Sequence, residues 1–150
     1  MAKNGRLDFA VNILTPSGPN GVWWSGFVEV AKTDHLVYKF NIYQVVMGNS
    51  NMTADDFADH TTCRLGKWYF HGDGHACFSK LPGFAEMDKP HKRVHAHGRA
   101  AVTAYCNRDI AATLAELEQM ELASVEVLDC LEKMAIAAKT SADIVCTSIK

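Results

Sequence analysis

The stretch from Ile110 to Ala135 carries the pattern that most constrains the fold. Apolar residues recur there every three or four positions, close to a heptad repeat, which is typical of a helix that packs along other helices. The members of this predicted seam are Ile110, Leu114, Leu117, Met120/Glu121, Ser124, Val127/Leu128, Leu131 and Met134/Ala135. Because one helix cannot bury its apolar face alone, the pattern predicts a bundle of antiparallel helices.

Two earlier segments share this helical periodicity. Apolar residues from Trp24 to Val46 follow the spacing of one helix face, and the sequence GNSN at 48–51 is suited to end that helix. Asp88 and Pro90 predict the start of another helix, as a cap and a first-turn residue, and this helix runs to about Tyr105. No credible strand pairs occur. We therefore predict an all-α chain: an antiparallel four-helix bundle with an additional short helix that carries a cysteine motif.

The predicted domain organisation follows from the same patterns. Residues 1–22 contain the turn-rich sequence TPSGPNG and are interpreted as an irregular N-terminal extension or linker. Residues 23–138 form the predicted bundle, and 139–150 a C-terminal tail or helix end. A chain of 150 residues is long enough for one domain with its own core.

Composition limits the partners and the cellular location that we expect for the protein. The net charge is −2, and Lys and Arg are not clustered as binding to a nucleic acid requires. No run reaches the ~18 apolar residues of a membrane span, and the N-terminus lacks a secretory signal. We therefore expect a cytoplasmic protein with no nucleic-acid or membrane partner. The five cysteines are odd in number and widely scattered, which argues against a disulfide framework.

The segment HKRVH places His91 and His95 four residues apart on a predicted helix. Residues at this spacing lie on the same face, so both imidazoles can reach one point, as in many chelating half-sites. The alternative is a pair of partly exposed histidines near a helix N-terminus. That position disfavours the protonated imidazole, which also suits a metal ligand.

His35 and Cys63 could complete such a site. His35 lies on the apolar stripe of the first helix, and Cys63 lies in the stretch HTTCRLGKWYF at 60–70. Taken singly, each is more often a core residue than a ligand. Together with His91 and His95 they would supply three nitrogens and one sulfur to a tetrahedral zinc ion. Four protein ligands leave no open coordination position, so the set indicates a structural or sensing site and not an enzyme. The HKRVH segment at 91–95 also lacks the glutamate of a metalloprotease HExxH motif.

The cysteine segment matches a known signature. The sequence CRLGKWY from Cys63 to Tyr69 resembles the C-x-[LF]-G-x-W-[YL] motif of the chemoreceptor zinc-binding (CZB) domain family. The helix with His35 lies upstream and the His91-x-x-x-His95 helix downstream, in the family's order. The resemblance covers roughly residues 24–135. It implies a cytoplasmic helical bundle, usually homodimeric, that binds one zinc per subunit through three histidines and one cysteine.

The resemblance also implies a role. Such domains are attached to chemoreceptors or diguanylate cyclases, or occur alone, and sense zinc or oxidants such as hypochlorous acid. The leading hypothesis is a sensor of zinc availability or of oxidation at Cys63, whose thiolate would be the redox-reactive group. One alternative is a purely structural zinc bundle that mediates homodimerisation. The other is an enzyme with an open metal site.

Three further residues could support the ligands. Asp34 could accept a hydrogen bond from a ligand imidazole, although adjacent helical residues point about 100° apart, which favours an exposed charge. Gly66 would permit a close approach near the metal, and Trp68 would supply bulk to the core.

Overall fold

The computed structural model describes residues 22–72 and 74–140. They form four α-helices: α1 (Val22–Val46), α2 (Arg64–His71), α3 (Phe84–Cys106) and α4 (Ile110–Thr140). A 3-10 turn at Ala54–Asp56 and a π turn at Gly74–Phe78 lie between them. Within these ranges no strand occurs, so the all-α prediction is confirmed. The expectations for residues 1–21 and 141–150 lie outside the described residues.

The three long helices form the body of the bundle, and the cysteine motif lies on the short helix α2. Helices α3 and α4 pack against each other as an antiparallel hairpin. Helix α1 is also antiparallel to α4, because Lys32 bonds Glu132 at 2.8 Å whereas Lys39 bonds Glu121 at 2.7 Å. Helices α1 and α3 therefore run in the same direction. The described residues contain three long helices and the short α2, whereas the sequence predicts four bundle helices and a short one.

Buried residues recur along helix α4 at alternating spacings of four and three. These positions are Thr113, Leu117, Met120, Ser124, Val127, Leu131, Met134 and Ala138, with Ala123, Cys130 and Ala135 buried beside them. The heptad seam is thus confirmed along most of the helix. It is wrong at its first two positions, since Ile110 and Leu114 are 56% and 62% exposed. The first buried position of the seam is instead Thr113. This polar side chain can be buried because its hydroxyl donates to the Asp109 carbonyl at 2.7 Å.

Helix α3 begins earlier than predicted, at Phe84 and not at Asp88. Gly83 precedes it with φ +90°, and a Cβ there would lie 2.5 Å from the Cys130 carbonyl oxygen, so only glycine fits. The Gly83 N–H donates to the Glu86 carboxylate at 3.1 Å, which caps the helix. Pro90 consequently lies inside the helix, where its buried ring packs in the core in spite of the missing N–H.

The stripe predicted on α1 is confirmed along most of its length. Its members Phe27, Val28, Ala31, His35, Ile42 and Val45 are buried, and Tyr38 and Val46 are half-buried. The side chain of Trp24, the first predicted member, lies outside the described residues. No described helix is long and apolar enough to cross a membrane. Cys63, Cys106 and Cys130 are free thiols, but Cys77 is disulfide-bonded, so the expectation drawn from cysteine number and scatter does not hold at that residue.

The register of α4 is tested by a matched pair of leucines. Leu131→Ala removes a fully buried side chain from the seam, so we expect the free energy of unfolding to fall by about 2–5 kcal/mol in urea titration. Leu114→Ala removes the same atoms from an exposed position and should change it by less than about 0.5 kcal/mol. Equal losses in the two variants would contradict the observed register.

Candidate metal centre

Three buried histidines meet between α1 and α3. His35, His91 and His95 are 4%, 1% and 4% exposed. Their ring centroids lie 4.9 to 6.2 Å apart, and each ring offers one nitrogen within 4.8 Å of the others. His91 and His95 share a face of α3 as their four-residue spacing predicts, and His35 faces them because α1 runs alongside α3. The structure thus brings together three of the four predicted ligand side chains in one cluster.

Backbone carbonyls orient two of the rings. His35 Nδ1 lies 3.2 Å from the Ala31 carbonyl oxygen, and His95 Nδ1 lies 2.8 Å from that of Ala58. A carbonyl oxygen only accepts, so each Nδ1 carries the proton and each Nε2 keeps a lone pair. His35 Nε2 is buried without a hydrogen-bond partner. Metal-binding histidines are typically held in this way: one ring nitrogen donates to a carbonyl, and the other is left to bind the metal.

Cys63 approaches the cluster from the start of α2. It is the N-cap residue of that helix, and its Sγ accepts a hydrogen bond from the Gly66 N–H at 3.3 Å. The same sulfur lies 3.3 Å from His91 Nε2. Bond lengths of about 2.3 Å for Zn–S and about 2.0 Å for Zn–N give a sulfur–nitrogen edge of roughly 3.5 Å in a tetrahedral site. The donor set therefore fits a zinc ion.

Burial controls the charge of the four groups. It lowers the pKa of His35, of His95 to about 4 and of His91 to about 2, so the imidazoles are neutral at physiological pH. Burial also raises the pKa of the Cys63 thiol, against the backbone N–H groups of Gly66 and Leu65, which lower it. Neutral imidazoles are ready to ligate, whereas the thiolate needs a cation beside it, which a bound metal supplies.

The three residues expected to support the site have distinct surroundings. Asp34 forms an ion pair with Arg64 at 3.2 Å, so its carboxylate faces a guanidinium. At Gly66 a Cβ would lie 1.9 Å from the His60 carbonyl oxygen, so a close approach there does require glycine. Trp68 packs against Phe27, with ring centroids 4.6 Å apart, in an aromatic cluster.

Two groups at the centre were missed by sequence reasoning. The Tyr38 hydroxyl donates to the His95 carbonyl at 3.2 Å, and the two rings lie 4.4 Å apart. Tyr38 follows His35 by three residues on the same helix face, so helical spacing could have indicated it. The Ala58 carbonyl, which holds the His95 ring, left no signal because it is a backbone group in a loop.

The fold and the cluster define a helical domain with a candidate zinc site. Residues 35–102 match the family model described as the chemoreceptor zinc-binding domain, CZB. This family comprises zinc-binding helical signalling domains, and the match confirms over residues 35–102 the resemblance seen in the sequence. No curated protein and no solved structure matches the chain significantly.

The close approach at Gly66 gives a testable consequence. A methyl group there would collide with the His60 backbone and force a shift, so Gly66→Ala should lower the free energy of unfolding by about 1–3 kcal/mol. Gly26 in α1 is the matched control, because a Cβ there meets no atom within 4 Å. Gly26→Ala should stabilise the chain by about 0.5–1 kcal/mol. Urea titration measures the free energy of unfolding of both variants. An unchanged free energy in Gly66→Ala would contradict the close contact with the His60 backbone.

Proposed function

We propose that this chain is a cytoplasmic sensor module of a bacterial-type signalling system. It binds zinc through His35, Cys63, His91 and His95. The observation that carries the proposal is the meeting of three buried, neutral imidazoles with a thiol from a different segment. The match to a zinc-binding family supports zinc as the metal.

The donor set favours binding over catalysis. A bound zinc ion would supply positive charge that keeps Cys63 as a thiolate, without redox chemistry of its own. The carbonyls of Ala31 and Ala58 would keep two imidazoles in the ligating tautomer. With four protein donors there is no open position for a substrate, so we propose no enzymatic activity.

Two stimuli fit this arrangement. One is zinc availability: the four donors tie α2 to α1 and α3 only when the metal is present. The other is oxidation of Cys63, for example by hypochlorous acid. The sulfur's electron pair attacks chlorine and hydroxide leaves; water then displaces chloride, giving a sulfenic acid. The sulfur has lost two electrons and its charge, so it becomes a weaker ligand.

The chain's outer faces support a homodimer. Among the described residues, exposed apolar side chains follow one face of α1, at Leu36, Phe40 and Met47. Others lie on α4, at Leu114, Leu122 and Val125. Apolar surface of this kind favours an interface with a second bundle. A signalling-output partner of the chemoreceptor or diguanylate cyclase type fits the family. The alternative is a purely structural zinc bundle that mediates homodimerisation.

The ligand set is tested by metal content. After dialysis against a weak chelator, the wild-type chain and Cys106→Ser should each retain about one zinc ion, because the four donors remain. Cys63→Ser should retain much less, since its hydroxyl is a poor zinc ligand. Atomic absorption measures the content. Cys106 is a fair control because it is a free, exposed cysteine. Tightly bound zinc in Cys63→Ser would show that the ligand set is wrong.

The choice of stimulus is tested by the rate of thiol oxidation. Under limiting hypochlorous acid, the redox branch predicts that Cys63 of the zinc-loaded chain is oxidised faster than Cys106 and Cys130, with zinc released in proportion. Peptide mass spectrometry and a zinc indicator follow the two events. If Cys63 reacts no faster than the other two thiols, zinc availability remains as the stimulus. If zinc removal only unfolds the chain, and oxidation causes no discrete conformational change, the structural alternative holds.

A further inference from the structure

A cleft of about 440 Å³ opens onto the histidine–cysteine cluster. Cys63, His35 and His95 line it, whereas His91 does not. The two histidines are almost fully buried and therefore form its inner end. The cleft thus gives small molecules one approach to the sulfur, on the side of the cluster between α1 and α2.

An ion pair stands at the outer part of this cleft. Asp34 and Arg64 line it too, with side chains 37% and 43% exposed. Asp34 belongs to α1 and Arg64 is the first residue of α2, so the pair joins the two helices that form the walls. A cation in the first turn of a helix opposes the helix dipole, so Arg64 does not serve the stability of α2 itself.

From this placement we infer that the cleft is the route by which a small electrophile or oxidant reaches the Cys63 sulfur, and that the Asp34–Arg64 pair is a latch that limits the size of what enters. The inference rests on the proposed function, in which Cys63 is the responding atom. Because Asp34 and Arg64 line the cleft, they act in this proposal as specificity-determining residues.

Two uncharged thiol reagents of different size can measure how strongly the Asp34–Arg64 pair limits access to Cys63. With iodoacetamide, the small reagent, the sulfur forms a bond to carbon and iodide leaves. With N-phenylmaleimide, the larger reagent, the sulfur adds to the carbon–carbon double bond and the neighbouring carbon takes a proton from water. The readout is the ratio of the two rates at Cys63, larger reagent over smaller, determined by peptide mass spectrometry on the full chain.

Two variants open the latch and leave opposite charges behind. Asp34→Asn frees the Arg64 cation, and Arg64→Met leaves the Asp34 anion. An ion pair of this exposure shifts an open–closed equilibrium by about 1.5-fold to fivefold, so both variants should raise the ratio by an amount in that range. Loosening of α2 as a whole would speed both reagents equally and leave the ratio unchanged. A charge effect on the thiol would move the rates in opposite directions in the two variants.

Glu132→Gln is the matched control. It breaks the ion pair of Glu132 with Lys32, which also ties α1 to another helix but does not line the cleft. Its ratio should equal that of the wild type, and the exposed Cys106 serves as an internal reference in every sample. A ratio that changes by less than about 1.5-fold in either latch variant, against the fivefold that the pair could give, or that changes as much in Glu132→Gln, overturns the latch.

Zinc content, measured on the same samples, separates this inference from the proposed function. A wild-type chain without zinc would refute the proposed zinc sensor, yet the ratio at Cys63 would still report the latch. A zinc-binding wild type with unchanged ratios in the latch variants would refute the latch alone.

Discussion

Burial of three imidazoles against one another is the constraint on which the centre depends. A polar group inside a protein costs free energy unless it is paired, and burial beside one another keeps these rings in the uncharged form. Carbonyls of Ala31 and Ala58 satisfy one nitrogen of His35 and one of His95. The second nitrogen of His35 has no partner within the described chain. A cation bound among the rings would satisfy it, and the packed seam between α3 and α4 supplies the stability that such a polar core requires.

The nitrogens and the sulfur come from unequal parts of the molecule. The histidines lie on α1 and α3, helices of 25 and 23 residues, whereas Cys63 caps α2, which has 8 residues. A helix that short is marginal without tertiary contacts. Loss of the sulfur's bond to a metal would therefore act on α2 and the cleft beside it more than on the long helices. This asymmetry is what a sensor needs: a rigid frame and one element whose position depends on a single ligand.

Sequence reasoning reached the features that depend on local periodicity. The all-α class and the shared face of His91 and His95 follow from helical spacing alone, and the CRLGKWY motif pointed to the family. It failed where tertiary contacts decide. The start of α3 depends on a positive φ at Gly83 beside Cys130, and the seam of α4 depends on a buried Thr113 hydroxyl that finds the Asp109 carbonyl. The Asp34–Arg64 pair joins residues thirty positions apart, and no local pattern marks it.

X-ray absorption at the zinc K-edge of the zinc-loaded chain tests the central claim most directly. The account predicts a four-coordinate ion with three imidazole nitrogens at about 2.0 Å and one sulfur at about 2.3 Å. The sulfur should be absent from the spectrum of Cys63→Ser. A five- or six-coordinate ion dominated by oxygen, or a wild-type spectrum without sulfur, would contradict it.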